Sequence, residues 1–107
     1  MHPDRLPGLL GLARRAGLTV SGTDAVVSRV RRKEARCVLI DAGASDNTRK
    51  KLADACRSYK TRCFIVEEGL LDRACGLSDG RSLALLKGTL TDEIIRLLPE
   101  NDFERVE

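Results

Sequence analysis

The sequence predicts an α/β fold, a single-domain three-layer α/β/α sandwich with a mixed sheet of about four strands. Helical patterns alternate with short apolar strand patterns along the chain, which is the order expected when helices cover both faces of a small sheet. The length of 107 residues fits one domain. A hydrophobic share of 42% with only 3% aromatic residues predicts an aliphatic core. We expect the domain to span residues 1–99 and the acidic residues 100–107 to form a flexible tail.

Two helices and one strand are predicted in the first third of the chain. Apolar residues recur at helical spacing over residues 3–16, and Gly17 follows as a left-handed stop. A short strand is predicted over residues 18–20. A second helix is predicted to open at Ser21-Gly22-Thr23-Asp24 and to run to about Lys33. Its inward-facing apolar side consists of Val26, Val27 and Val30.

Buried strands are predicted where uninterrupted apolar runs of strand length occur, over residues 37–40, 62–66 and 82–86. A loop rich in capping residues, 41–48, leads into a third helix. The apolar side of that helix is predicted to contain Leu52, Ala53, Cys56 and Tyr59. A short fourth helix over 70–75 ends at Gly76, residues 78–81 form a turn, and a fifth helix runs from about Thr91 to Pro99.

The four cysteines are predicted to be reduced, buried thiols. No two of them form a Cys-x-x-Cys pair, the only histidine is His2, and each cysteine lies in an apolar stretch. We therefore expect no metal and no cofactor. The sequence also has no Gly-x-Ser-x-Gly or Walker pattern, and Asp41 at a strand end has no partner acid or base, so we expect it to cap the following loop. The hypothesis is that the protein is not an enzyme and has no catalytic residues.

The hydropathy of the chain predicts no membrane span, and its charge distribution predicts one basic face. No apolar run approaches the ~20 residues of a membrane span, and no secretory signal is recognised, so we expect a cytoplasmic protein. The net charge is +3, but residues 1–36 hold eight Arg and Lys against three Asp and Glu. Such asymmetry predicts one basic face, although a solvated helix face gives the same pattern. Arg14 and Arg15 are in the last turn of the first helix. On the second helix, one basic stripe consists of Arg29, Arg32 and Lys33. An adjoining polar face contains Asp24, Ser28 and Arg31.

The start of the second helix, Gly22 and Thr23, is a candidate anion-binding site. A helix N-terminus presents unpaired N–H groups and a partial positive charge to phosphates and base edges. An ordinary N-cap on a solvated helix gives the same local pattern.

Several motifs in order resemble a known family. They are Gly11-Leu-Ala-Arg-Arg-Ala-Gly17, Val20-Ser-Gly22, Cys37-Val-Leu-Ile-Asp41, Ala44-Ser-Asp-Asn-Thr-Arg-Lys-Lys51 and Ala74-Cys-Gly76. This pattern, over about residues 5–98, is similar to the YlxQ-like bacterial branch of the kink-turn RNA-binding ribosomal protein superfamily. That superfamily also includes archaeal and eukaryotic ribosomal proteins and box C/D ribonucleoprotein core proteins. The resemblance implies an α/β/α sandwich without catalytic activity that binds a sharply bent RNA duplex.

The resemblance also implies where the RNA is contacted. At the start of the second helix Gly22 and Thr23 match the family pattern Gly-Thr-Asn-Glu, and Arg32 matches a basic position further along. Asp24, Ala25 and Ser28 stand where Asn, Glu and Lys are typical. Ionised Asp only accepts hydrogen bonds, whereas Asn also donates, so the arginines are expected to carry more of the binding. The second contact surface is the loop after the fourth helix, residues 77–81.

Together these patterns predict a non-catalytic RNA-binding protein. We expect a monomer that binds structured, kink-turn-like RNA, including ribosomal RNA, and no membrane. The alternative is a protein-interaction adaptor on the same fold, with weak or no RNA binding. The candidate RNA-binding residues are Gly22, Thr23, Asp24, Ser28, Arg31, Arg32, Lys33, Arg14, Arg15, Ser78, Asp79, Gly80 and Arg81.

Overall fold

The computed structural model describes residues 5–76 and 81–98 of the chain, in which five helices alternate with four strands. The helices are α1 (Arg5–Arg15), α2 (Thr23–Arg31), α3 (Asp46–Ser58), α4 (Leu70–Cys75) and α5 (Thr89–Leu97). The strands are β1 (Thr19–Ser21), β2 (Ala35–Asp41), β3 (Arg62–Val66) and β4 (Ser82–Leu86). The predicted alternation of helices and strands is confirmed.

The four strands form one mixed sheet in the order β1-β4-β2-β3. β2 and β3 are parallel, whereas β4 is antiparallel to both β1 and β2. Val38 of β2 is paired with Cys63 on one side and with Ala84 on the other. The central strands β2 and β4 are buried almost throughout, as their uninterrupted apolar runs predicted.

Successive residues of β2 point to opposite faces of the sheet and divide the core into two parts. Cys37 and Leu39 pack with residues of α1, α4 and α5, whereas Val38 and Ile40 pack with residues of α2 and α3. The sheet therefore lies between two helical layers, which confirms the predicted three-layer sandwich. The inward face predicted for α2 is also confirmed, since Val26, Val27 and Val30 are buried.

Element boundaries differ from the prediction at several helix ends. α3 begins at Asp46, inside the predicted loop 41–48, because Ser45 caps the helix by accepting the Thr48 N–H. α2 ends at Arg31 instead of near Lys33 because Lys33 adopts a left-handed φ of 60°. Its N–H donates to the Val30 carbonyl and the next N–H, of Glu34, donates to the Arg29 carbonyl, so the helix closes in a Schellman motif. α5 begins at Thr89, with Gly88 as its N-cap, and not near Thr91. The predicted helix end at Pro99, the turn residues 78–80 and the acidic tail lie outside the described residues.

Tyr59 was predicted on the buried side of the third helix, and this was wrong. α3 ends at Ser58, and Tyr59 is its C-cap, with a φ of −108° that departs from helical geometry. The helical spacing therefore no longer applies at this position, and the side chain is exposed.

All four cysteines are buried free thiols, as predicted. Burial raises the pKa of Cys37 to about 12. Within the described residues, no group of three His, Cys, Asp or Glu side chains could hold a metal ion. None of the helices in this part of the chain has the length and apolar character needed to cross a membrane.

Candidate nucleic-acid interface

One edge of the sheet brings together the start of α2, the end of β2 and the start of β4. Because β1 is antiparallel to β4, the end of β1 lies beside the start of β4, and the Gly22 N–H donates to the Ser82 carbonyl (3.4 Å). On the other side of β4, the Asp41 N–H donates to the Arg81 carbonyl (2.9 Å). Gly22, Asp41 and Arg81, far apart in sequence, therefore lie along the same edge.

The start of α2 has no side-chain cap, and its backbone conformation at position 22 favours glycine. Gly22 is the N-cap, and its φ of 96° and ψ of 137° lie where L-residues are strained. Its carbonyl accepts the Val26 N–H (2.8 Å), but glycine has no side chain to accept from the first-turn N–H groups. A Cβ added at Gly22 would meet nothing within 4 Å. An uncapped helix start with open space at Gly22 is an arrangement that suits an anionic ligand.

Asp24 in the first turn of α2 is compensated by a residue that the sequence analysis missed. The side chain of Asp24 is exposed and forms an ion pair with Lys51 Nζ of α3 at 3.0 Å. The two residues are 27 positions apart, so no local pattern signals the contact. Ser28, one turn further along α2, is also exposed.

The buried side chain of Asp41 connects the segments that meet at this edge. Its buried carboxylate accepts hydrogen bonds from the Gly43 N–H (2.6 Å) and the Gly69 N–H (3.1 Å). The prediction that Asp41 caps the following loop is therefore confirmed. Asp41 Oδ1 also lies 3.6 Å from Arg81 Nη1, while the Arg81 side chain remains half exposed. Ser78, Asp79 and Gly80, the other candidates in this segment, lie outside the described residues.

The predicted basic stripe of α2 lies at the opposite end of the helix from Gly22. Arg29, Arg32 and Lys33 line one depression together with Lys87. Glu34 pairs with Arg29 (3.3 Å) and with Arg32 (3.5 Å). α2 has nine residues, and at ~1.5 Å per residue the stripe is roughly 13 Å from the helix start.

Arg31 points away from this stripe. It lines a separate groove between α2 and α3, together with Lys51. The structure thus separates Arg31 from Arg32 and Lys33, as the helical periodicity of the sequence indicated.

Arg14 and Arg15 lie on the last turn of α1, where both are exposed. A Cβ added at Gly76, just after α4, would lie 3.9 Å from Arg14 Nη1. Burial raises the pKa of the Cys75 thiol, and the neighbouring Arg14 charge acts in the opposite direction. Arg14 therefore lies beside the end of α4.

The candidate cations differ in how much of their charge is already compensated. Glu34 is shared by Arg29 and Arg32, and Asp41 faces Arg81. Within residues 5–76 and 81–98, four of the candidates form no ion pair. These are Arg14, Arg15, Arg31 and Lys33. They are the cations most available to an external anion.

Comparison with known proteins links this fold to RNA-binding proteins. The model of the Ribosomal protein L7Ae/L30e/S12e/Gadd45 family matches residues 4–92. The chain is similar to the RNA-binding protein YlxQ of Bacillus subtilis (strain 168), with 38% identity over 91 residues, which cover 84% of this chain and 91% of that protein.

Two solved structures share the fold. A protein with unknown function from Bacillus halodurans C superposes with a TM-score of 0.81 and 29% identity, covering 87% of this chain and 95% of that one. The Giardia lamblia 15.5kD RNA binding protein superposes with a TM-score of 0.68 at 22% identity, covering 87% of this chain and 83% of that one. At this low identity, the Giardia structure supports the architecture alone.

Proposed function

This chain belongs to the Ribosomal protein L7Ae/L30e/S12e/Gadd45 family, and we propose that it is a non-catalytic protein that binds structured, kink-turn-like RNA. Its similarity to the RNA-binding protein YlxQ supports RNA as the ligand class. We further propose that the RNA is ribosomal and that the protein binds it as a cytoplasmic monomer.

The observation that carries the proposal is the open start of α2 at Gly22 beside the anchored guanidinium of Arg81. Gly22 leaves the first-turn N–H groups without a side-chain acceptor, and β4 joins this helix start to Arg81. N–H groups fixed in a helix and an arginine held by a buried carboxylate are both donors positioned before the ligand arrives. Such donors suit phosphate and base-edge acceptors at the bend of an RNA duplex.

Basic residues on both sides of this edge would contact the flanking RNA. Arg14 lies beside the end of α4, and Lys33 lies one helix length from Gly22. Neither residue forms an ion pair in the described part of the chain, so either can bind a phosphate without breaking an internal ion pair. In this arrangement the protein recognises the shape and phosphate positions of the RNA more than its sequence.

Asp24 fits this arrangement because its charge is already paired. An unpaired carboxylate at the helix start would repel phosphate, but Lys51 Nζ lies 3.0 Å from Asp24 Oδ1. The pair as a whole is neutral. We propose that the Gly22 edge therefore retains RNA binding although Asp24, Ala25 and Ser28 depart from the family pattern.

A gel-shift titration tests the proposal. The protein is titrated with a kink-turn RNA and with a straight duplex of equal length, at several salt concentrations. We expect tighter binding of the kink-turn and a linear fall of log K with log salt concentration. Arg14→Gln and Arg81→Gln should each weaken binding and lower the salt slope by about one.

Arg96→Gln is the matched control, because Arg96 lies in the last turn of α5 and pairs with Glu93. It removes the same charge and should leave kink-turn binding unchanged. Absence of binding at low salt would contradict the proposal and leave the protein-interaction adaptor as the better hypothesis. Equal affinity for both RNAs would contradict kink-turn recognition.

A further inference from the structure

A groove between α2 and α3 is not used by the proposed interface at Gly22. Val27 and Arg31 of α2 form one wall, and Lys51, Asp54 and Ala55 of α3 form the other. Tyr59 lies at the end of the groove, and the volume is about 630 Å³. Sites for small organic ligands have volumes of roughly 300–1,000 Å³, so the groove has the size to hold a nucleotide.

Tyr59 gives the groove an exposed aromatic surface. Phe64 is buried, and Tyr59 is the only exposed aromatic side chain in the described part of the chain. Its backbone is fixed at the end of α3, where its N–H donates to the Ala55 carbonyl (3.0 Å) and Lys60 turns left-handed with a φ of 56°. The exposed ring on this fixed backbone offers a face on which a flat ligand can stack.

The uncompensated charge of the groove is positive. Lys51 pairs with Asp24 (3.0 Å), and Asp54 pairs with Arg57 (2.8 Å). Arg31 has no ion pair within the described residues. An anionic ligand would therefore meet the free guanidinium of Arg31 beside the neutralised carboxylate of Asp54.

We propose that this groove binds an unpaired nucleotide of RNA, with the base stacked on Tyr59 and the phosphate on Arg31. The apolar side chains of Val27 and Ala55 in the two walls suit the sugar and the base. Unpaired bases fit better than a duplex because only they expose their faces for stacking. RNA as the ligand class rests on the proposed function, but the groove is lined by other residues than the Gly22 edge. The two surfaces adjoin at the Lys51–Asp24 pair, because Lys51 lines the groove and Asp24 lies in the first turn of α2.

Tyrosine emission tests the proposal directly. The chain has one tyrosine and no tryptophan, so emission reports on Tyr59 alone. We expect a single-stranded hexauridylate to quench this emission as it binds. Arg31→Gln should weaken the binding several-fold while preserving the quenching at saturation.

Tyr59→Leu should weaken binding of a fluorescently labelled hexauridylate, followed by anisotropy, about fivefold or more, which is the usual size of a base–aromatic stack. Arg96→Gln, with the same loss of charge, is the control and should leave hexauridylate affinity unchanged.

Three outcomes would overturn the groove as a nucleotide site. They are absence of hexauridylate binding, binding without a change in emission, and quenching by a polyglutamate peptide but not by hexauridylate. The last outcome would mark a protein-binding groove. Failure of the proposed function is detected separately, by the kink-turn gel shift and its Arg81→Gln variant. If the protein binds kink-turn RNA but substitutions at Tyr59 and Arg31 do not affect RNA binding, the groove proposal alone is overturned.

Discussion

The buried carboxylate of Asp41 lies 3.6 Å from the guanidinium of Arg81, and it holds two further segments at the same time. Its oxygens accept the N–H groups of Gly43, in the loop before α3, and of Gly69, at the start of α4. One side chain therefore connects the ends of β2 and β3 to the start of β4. The position of Arg81 at the candidate interface depends on this connection.

Asp41→Asn should lower the free energy of unfolding by about 1–3 kcal/mol. The amide can still accept one N–H group, but its NH₂ then faces the other N–H donor, and the charge opposite Arg81 is lost. Urea denaturation followed by circular dichroism measures the change. Asp46→Asn removes an exposed carboxylate and should alter stability little. Equal stability of the two variants would show that Asp41 does not organise this edge.

Gly22→Ala and Gly8→Ala should change stability in opposite directions. Alanine at Gly22 must adopt a φ of 96°, which should destabilise the protein by about 1–3 kcal/mol although the space is open. Gly8 is inside α1, and a Cβ there also meets nothing within 4 Å. Alanine at this position should stabilise α1 by about 0.5–1 kcal/mol. Thermal unfolding of both variants gives the sign, and a neutral Gly22→Ala would contradict the strained helix start.

The elements predicted most accurately are those whose ends are set by residues close in sequence. The structure places β3, α4 and β4 at the residues predicted, because buried apolar runs and Gly76, with a left-handed φ of 65°, delimit them. The start of α5 was predicted near Thr91, but the helix begins at Thr89. In the structure Thr91 is buried, and its hydroxyl donates to the Leu86 carbonyl.

The candidate site was predicted only where its signals are local. The glycine at the start of α2 and the division of its basic residues between two faces follow from the sequence. The Asp24–Lys51 pair and the Asp41–Gly69 hydrogen bond do not, since their partners are 27 and 28 positions apart. Such contacts depend on how α2, α3 and the strand ends meet in three dimensions.

Lys33→Gly should stabilise the protein but weaken its binding to RNA. Lys33 has a left-handed φ of 60°, which is strained for L-residues by about 1–2 kcal/mol, so glycine should stabilise the protein. The same change removes an unpaired cation from the depression that Lys33 lines with Arg29, Arg32 and Lys87, and it should weaken RNA binding. Lys60→Gly is the matched control, since Lys60 has a φ of 56° at the end of α3. It should be similarly stabilising, and equal effects of both variants on RNA affinity would contradict a specific role for Lys33.

The double variant Asp24→Asn with Ser28→Lys should strengthen kink-turn binding. Asn at position 24 can donate as well as accept, and Lys at position 28 adds a cation on the exposed face of α2. Loss of the Asp24 charge also frees Lys51 from its ion pair. Gel-shift titration of a kink-turn RNA should show a rise in affinity of about tenfold or more. An unchanged affinity would indicate that the start of α2 does not contact the RNA.

Cys37 should make the protein less stable at alkaline pH. Burial raises the pKa of its thiol from 9.0 to about 12, so above pH 9 the thiol ionises in the unfolded chain before it ionises in the folded protein. The unfolded state then binds fewer protons. The free energy of unfolding should therefore fall by up to roughly 1.4 kcal/mol for each pH unit between these limits.

Urea denaturation between pH 8 and pH 11 measures this slope. Cys37→Ala should lower stability at every pH because it empties buried volume, but its slope above pH 9 should be shallower. Every other titratable group is common to both proteins, so its contribution cancels in the comparison. Parallel curves for the two proteins would show that Cys37 ionises as readily in the folded state as in the unfolded state, and would contradict the buried position of its thiol.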